Sequence, residues 1–286
     1  MENLINGLKT NRSFAVSSLL VLALLALAAA APVLSPYDPV EATMQNAYLE
    51  PSAEHIFGTD KLGRDVFSRI LYGARYSLSG VLLLVAVIFL VGTSLGIISG
   101  YYGGKVDTVI MRISDMMISF PGMILAIAIA GILGGSLVNA VIALTIVSWT
   151  KYARLARSMV LKIKKRDFVE AAVVNGGKPT HILWKHIVPN ILPLMVITAA
   201  ADIGAMMMEL AGLSFLGFGS QPPAPEWGLM LNEGRQQLQT APWLMVFPGL
   251  AIFLTVVVFN LWGDSLRDVL DPRQDCLLYT SDAADD

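Results

Sequence analysis

The side chains able to do chemistry in this chain are few, and the most telling of them sit where water is scarce. Asp202 and Glu209 lie seven residues, two helical turns, apart within a run that is otherwise apolar, and Met206, Met207 and Met208 stand between them. A bare carboxylate facing lipid is costly, so both acids are expected to face a bundle interior or a transport pathway. The alternative is that they bond to serines or backbone on a neighbouring helix and serve packing. Methionines are adaptable packing residues, yet thioethers also touch soft metals and their chelates. Asp202, Met206 and Glu209 are therefore the candidate pathway residues.

Catalytic constellations are not found. A phosphate-binding loop needs glycines ahead of Gly-Lys so that backbone N–H groups wrap the phosphates. Gly104-Lys105 and Gly177-Lys178 fail this, with Ser99 and Ala172 where the first glycine belongs and no Ser or Thr following. His181 and His186 are five apart, off a common α-helical face, and His55 lies far from both. One cysteine, Cys276, excludes a disulfide framework or cysteine metal site within the chain. No cofactor, bound metal or enzymatic activity is expected.

Lys151, Arg154, Arg157, Lys162, Lys164, Lys165, Arg166, Lys178 and Lys185 form a basic block between apolar flanks, opposed locally only by Asp167 and Glu170. A basic loop between membrane spans normally faces the cytoplasm. Within it, Asp167 and Glu170 have capping-box spacing for a helix through Val174. Gly176 and Gly177 can take the left-handed backbone that ends it. Pro179 suits the first turn of a second helix, and Pro189 should force an exit near Ile187. Such short helices need a surface to lie on, and another protein is the expected one.

Composition supports a membrane protein. Of 286 residues 55% are hydrophobic and 15% charged, with mean hydropathy +0.63. The net charge of -2 gives no reason to expect a nucleic-acid partner.

Glu170-Ala171-Ala172, then Gly176, then Ile187-Val188-Pro189 resemble the EAA loop of ABC-importer permeases, with His186 departing from the apolar residue usual at its position. Phe57-Gly58-Thr59-Asp60, Leu62-Gly63-Arg64-Asp65, Ser214-Phe215-Leu216-Gly217, Glu226-Trp227-Gly228 and Gly263-Asp264-Ser265 are similar to the dipeptide, oligopeptide and nickel branch of that family. The resemblance implies an all-α membrane protein of six transmembrane helices, the type I importer permease fold with a cytoplasmic coupling-helix loop. It implies a second homologous permease subunit, two cytoplasmic ATPase subunits and an extracytoplasmic solute-binding protein as partners. Glu170, Ala171, Ala172, Gly176, Gly177, Ile187 and Pro189 would be the ATPase-coupling residues. Leu210 stands where peptide-type members commonly carry glutamate, and Asp202-Ile203-Gly204 with Met206-Met207 is closer to the nickel-type branch. Nickel or a nickel chelate is the favoured substrate, with di- or oligopeptides as the alternative. A proton-driven carrier using Asp202 and Glu209, or a membrane scaffold, are readings of other classes.

In chain order, Lys9 and Arg12 precede an uncharged run from Ser13 to Ser35, read as an uncleaved first span. Leu62, Val66, Phe67, Ile70 and Leu71 then suit a helix lying in the membrane interface, with Arg64, Asp65 and Arg69 turned away from that face. A second span runs from about Leu78 to Ile98, with Gly92, Gly96 and Gly100 as a small-residue stripe. From Met116 to Thr150 no charge occurs over about 35 residues, too long for one crossing, so Gly134-Gly135-Ser136 should split it into two spans. A fifth span runs from Ile191 to Leu213 and a sixth between Trp243 and Trp262, which puts both termini in the cytoplasm. The expected divisions are 1–75 as anchor and extracytoplasmic segment, 76–272 as permease core with its coupling loop at 167–190, and 273–286 as a tail of non-native composition.

Overall fold

The computed structural model describes residues 11–270, and every regular element among them is helical. In order these are α1 (Arg12–Leu34), α2 (Val66–Tyr102), α3 (Gly104–Ile118), α4 (Gly122–Leu133), α5 (Leu137–Ile163), α6 (Asp167–Val174), α7 (Pro179–Ile182), α8 (Val188–Phe215), α9 (Trp227–Gly234) and α10 (Trp243–Leu270). Four helical runs are long and apolar enough to cross a membrane: Arg12–Leu34, Val66–Tyr102, Pro179–Phe215 and Trp243–Leu270. A fifth candidate is α3 with α4, which are bent by 94° at Ser119–Pro121. Lys9, Cys276 and the tail at 273–286 lie outside the described residues.

The bundle is built around α2, which packs on α1, α5 and α8, while α8 packs on α10 and α10 returns to α1. Small residues set the closest approaches. A Cβ placed at Gly92, Gly96 or Gly100 of α2 would collide with Trp149, Ala153 or Val160 of α5, so the expected stripe is the seam between these two helices. Gly204 of α8 meets Asn260 of α10, and Gly263 of α10 meets Ala201 of α8, in the same manner. Around these seams Leu84, Ile88, Leu144, Met195, Met207 and Phe259 fill the largest buried positions of the core.

Several expectations are corrected. No separate interfacial helix precedes the second span: Leu62 lies in a turn, and α2 runs unbroken from Val66 for 37 residues. Asp65 starts it by accepting a bond from the Ser68 N–H at 2.7 Å, while Arg64 and Arg69, expected on the polar side of an amphipathic helix, are fully buried. The break at Gly134 is present, with φ +87°, but the piece before it is broken again at Pro121 and the piece after it continues through Lys151 to Ile163. Lys151, Arg154 and Arg157 therefore belong to a bundle helix and not to a loop.

The Asp167–Glu170 capping box does not form. Asp167 is already the first helical residue, its cap position is Arg166, and no side chain caps α6. Gly176 takes the left-handed backbone (φ +75°), whereas Gly177 does not. Pro189 does not end the helix: Leu183–Ile187 widens into a π-turn and the chain runs on as α8, with Val188 itself helical. At that turn the Asn190 side-chain amide donates to the His186 carbonyl at 2.7 Å, and the wide turn accommodates a proline that offers no N–H.

The α2–α5 seam has no slack, which makes it sensitive to one added side chain. Gly96→Val is expected to lower stability by about 1–3 kcal/mol, seen as an earlier thermal transition of the detergent-solubilised protein. An unchanged transition would show that α5 can move off α2.

Candidate translocation and coupling sites

Three cations on α5, Lys151 and Arg154 exposed and Arg157 half-buried, each meet an acid from another helix. Lys151 Nζ lies 2.6 Å from Asp202 Oδ1 on α8. Arg154 donates to Asp115 at 2.5 Å and to the buried Ser114 hydroxyl at 3.0 Å. Arg157 donates to both carboxylate oxygens of Asp107, at 2.5 and 2.6 Å, and the Ser99 hydroxyl joins the same group. The spacing of three residues keeps these cations along one side of α5, the side that α3 and α8 flank. The basic block is thus answered by Asp107, Asp115 and Asp202, partners that its local sequence does not contain.

Asp202 is 8% exposed and would be an unpaired charge in apolar surroundings without Lys151. The buried Tyr152 stands beside the same carboxylate. Glu209 is half-buried two turns away and forms no ion pair among the described residues. The three methionines between them diverge: Met206 packs half-buried against the core, Met207 is buried, and Met208 is 58% exposed. No thioether cluster results.

At the end of the bundle that carries α9, a second charge network holds the segment before α2. Arg64 bonds Asp60 at 2.6 Å and Glu233 of α9 at 3.2 Å, and Arg69 reaches Glu233 at 2.8 Å. His55 pairs with Asp65 at 2.9 Å. Glu226 caps α9 by accepting from the Gly228 and Leu229 N–H groups at 2.9 Å, and the Ser77 hydroxyl approaches it from α2 at 3.3 Å. Burial pushes the Glu226 carboxyl above the usual carboxylate range, against those backbone N–H groups that pull it back. The Trp227 indole donates to the Ile70 carbonyl at 3.0 Å. The Leu62-Gly63-Arg64-Asp65 and Glu226-Trp227-Gly228 motifs are therefore two halves of one clamp. Glu233, its central acid, was not singled out from the sequence, and the only signal for it was a lone acid seven residues after Glu226.

The opposite end exposes α6 and α7. A small core of Val160, Ile163, Val169, Ile182, Ile187 and Ile191 anchors them. Outward they present Phe168, Val173, Val174 (86% exposed) and Trp184 (73% exposed) among the exposed cations Lys165, Arg166, Lys178 and Lys185. Glu170 and Ala171 are exposed, Ala172 half-buried, Ile187 buried beneath, and Pro189 exposed at the start of α8. The π-turn also corrects the expectation for the histidines: it brings His181 and His186 onto neighbouring positions, their rings 6.1 Å apart. Among the described residues no group of three or more metal-ligating side chains occurs.

An apolar bundle with paired charges along one helix, clamped at one end and exposing a basic, apolar element at the other, has the features of a membrane transport permease. Residues 92–275 match the family described as the binding-protein-dependent transport system inner membrane component. The chain belongs to this family and is an ABC-importer permease of the inner membrane. It is 45% identical over 266 residues to the dipeptide transport system permease protein DppC of Alkalihalophilus pseudofirmus, covering 93% of this chain and 88% of that one. It is 46% identical over 258 residues to the glutathione transport system permease protein GsiD of Pectobacterium atrosepticum, covering 90% and 86%. It is 41% identical over 257 residues to the nickel transport system permease protein NikC of Escherichia coli K12, covering 90% and 93%. Its fold is similar to a chain of the inward-facing MetNI methionine ABC transporter, with TM-score 0.58 and 19% identity over 71% of this chain and 97% of that one.

Because Glu233 separates two buried guanidinium groups, Glu233→Ala leaves Arg64 and Arg69 with the single carboxylate of Asp60 between them. The expected loss is about 3–5 kcal/mol of stability, with earlier melting and faster proteolysis between α1 and α2. Equal protease resistance would show that the clamp does not hold that segment.

Proposed function

We propose that this chain forms one half of the translocation pathway of an ATP-driven importer and receives the power stroke through α6 and α7. The observation that carries the reading is the exposed apolar edge of Phe168, Val174 and Trp184, set among cations and joined without a break to α8. Isolated helices of this length need a surface, and a cytoplasmic ATPase supplies one. Glu170, Ala171, Ala172, Gly176 and Gly177 shape the docking corner, while Ile187 and Pro189 tie it to the span.

The six spans are then α1, α2, α4 with α3 leading into it, α5, α8 and α10. The surplus of lysine and arginine between α5 and α8 supports a cytoplasmic side for that loop and, with six spans, for both termini. The segment 1–75 is the anchor with its extracytoplasmic clamp, and 76–272 is the transporting core. A second homologous permease completes the pathway, two ATPase subunits dock beneath, and a solute-binding protein delivers substrate above. ATP closes the ATPase pair, the docked corner moves with it, and the bundle opens outward; hydrolysis resets it.

For the substrate, Leu210 and the sequence around Asp202 lean toward nickel or a nickel chelate. Two features of the geometry favour a peptide or a carboxylate chelate over the bare ion. Met206, Met207 and Met208 point apart, and a divalent cation approaching Asp202 meets the Lys151 ammonium.

ATP-dependent uptake of labelled dipeptide and labelled nickel into vesicles holding the assembled transporter tests the reading. Uptake should survive a proton uncoupler while ATP is present, and its collapse would point to a proton-driven carrier. Gly176 has φ +75° and open space where a Cβ would stand, so only backbone strain opposes a side chain there. Gly176→Val is expected to cost about 1–2 kcal/mol at the corner, leave ATP hydrolysis running and reduce uptake about tenfold, whereas Gly176→Asn retains most of it. Normal coupled uptake by the valine variant would remove the corner from the mechanism.

A further inference from the structure

Lys151 differs sharply in exposure from the acid it is paired with. It lies midway along α5, its partner Asp202 lies midway along α8, yet its own side chain is 62% exposed while that of Asp202 is 11% exposed. With α5 and α8 read as spans, an ammonium open to lipid at that height would be costly, so on this reading the face meets water or another polar group. Asp202 occupies one of the three ammonium donors, and two remain to bond an incoming acceptor.

We propose that Lys151 is a substrate-binding residue in the permease itself and recognises a free carboxylate of the transported molecule, with Asp202 holding its ammonium in place. The proposal rests on the permease reading above and narrows its substrate to a carboxylate-bearing one. Glu209 extends the site. It lies two turns from Asp202 on α8, a separation of roughly 10 Å, and has no ion-pair partner among the described residues. An extended chain of two or three residues spans about 7–10 Å. A small zwitterionic peptide can thus place its carboxylate on Lys151 and its ammonium toward Glu209. A nickel complex of an amino-acid chelator offers Lys151 the same carboxylate, whereas free nickel does not.

The experiment uses the complete transporter, co-purified with its partner subunits and binding protein and reconstituted in proteoliposomes. The probes are a labelled dipeptide, its C-terminal amide, and labelled nickel with and without histidine as chelator. Lys151→Met alone leaves Asp202 unpaired and can fail by misfolding, so the decisive variant is Lys151→Met with Asp202→Asn, which removes both charges. Assembly and basal ATP hydrolysis confirm that this variant folds.

Its uptake of the dipeptide, or of nickel with histidine if that is the transported form, should fall at least about tenfold relative to the wild type. Uptake of the amide should change much less, and Lys151→Arg should stay within about threefold of the wild type. The binding protein is the same in every arm, so its own selectivity cancels in the ratio of variant to wild type. Wild-type uptake by the doubly neutral variant would overturn the proposal and make the ion pair a packing device. Uptake of nickel without chelator, undiminished in that variant, would overturn it too. If the wild type takes up none of the probes with ATP, the importer reading fails before Lys151 is tested.

Discussion

The bundle depends on the contact of α5 with its neighbours, and along one side of α5 three cations each meet an acid, of which Asp202 is the buried one. These acids come from α3 and α8, elements distant in the chain, so the pairs at Lys151, Arg154 and Arg157 fix how those helices sit around α5. Glycine does the complementary work on the other side, where Gly92, Gly96 and Gly100 let α2 press against α5 backbone to backbone. Steric closeness sets the position of α5 along α2, and charge sets its rotation. Neither alone would hold it, since an apolar seam permits sliding and an ion pair on long side chains permits tilt.

The two ends of the bundle use charge in opposite ways. Around Glu233, arginines and acids are buried together with their hydrogen-bonding capacity largely met, an arrangement that contributes geometry more than net stability. It fixes the loop before α2 onto α9. At α6 and α7 the cations stay in water and surround side chains that a finished surface would hide, such as Trp184 and Val174. One end is closed within the chain, and the other leaves apolar side chains exposed.

Much of this was legible from residue type and spacing. The helical class, the positions of α1, α8 and α10, the small-residue seam of α2, the break at Gly134 and the bend at Gly176 follow from local patterns that local physics obeys. What could not be read was set by residues distant in sequence. Lys151, Arg154 and Arg157 looked like loop residues because Asp107, Asp115 and Asp202 are far away in the chain. Arg64 and Arg69 looked like the wet side of a surface helix because Glu233 lies more than 160 positions on. Pro189 looked like a stop because the usual rule concerns α-helix, and a π-turn changes which carbonyls need a donor. The role expected of the corner at Gly176 rested on resemblance, since nothing in the chain's own contacts calls for a partner there.

The continuity of Pro179–Phe215 has a mechanical corollary. With no loop inside those 37 residues, the short exposed segment and the span bearing Asp202 form a single lever whose arm from Pro179 to Asp202 is about 35 Å. On the proposed mechanism, a displacement at its tip would reach the middle of the bundle through this helix without a relay of side chains. The wide turn at Leu183–Ile187, with Pro189 and Pro193 just beyond it, is where the regular ladder of this arm is interrupted and where twist would be taken up.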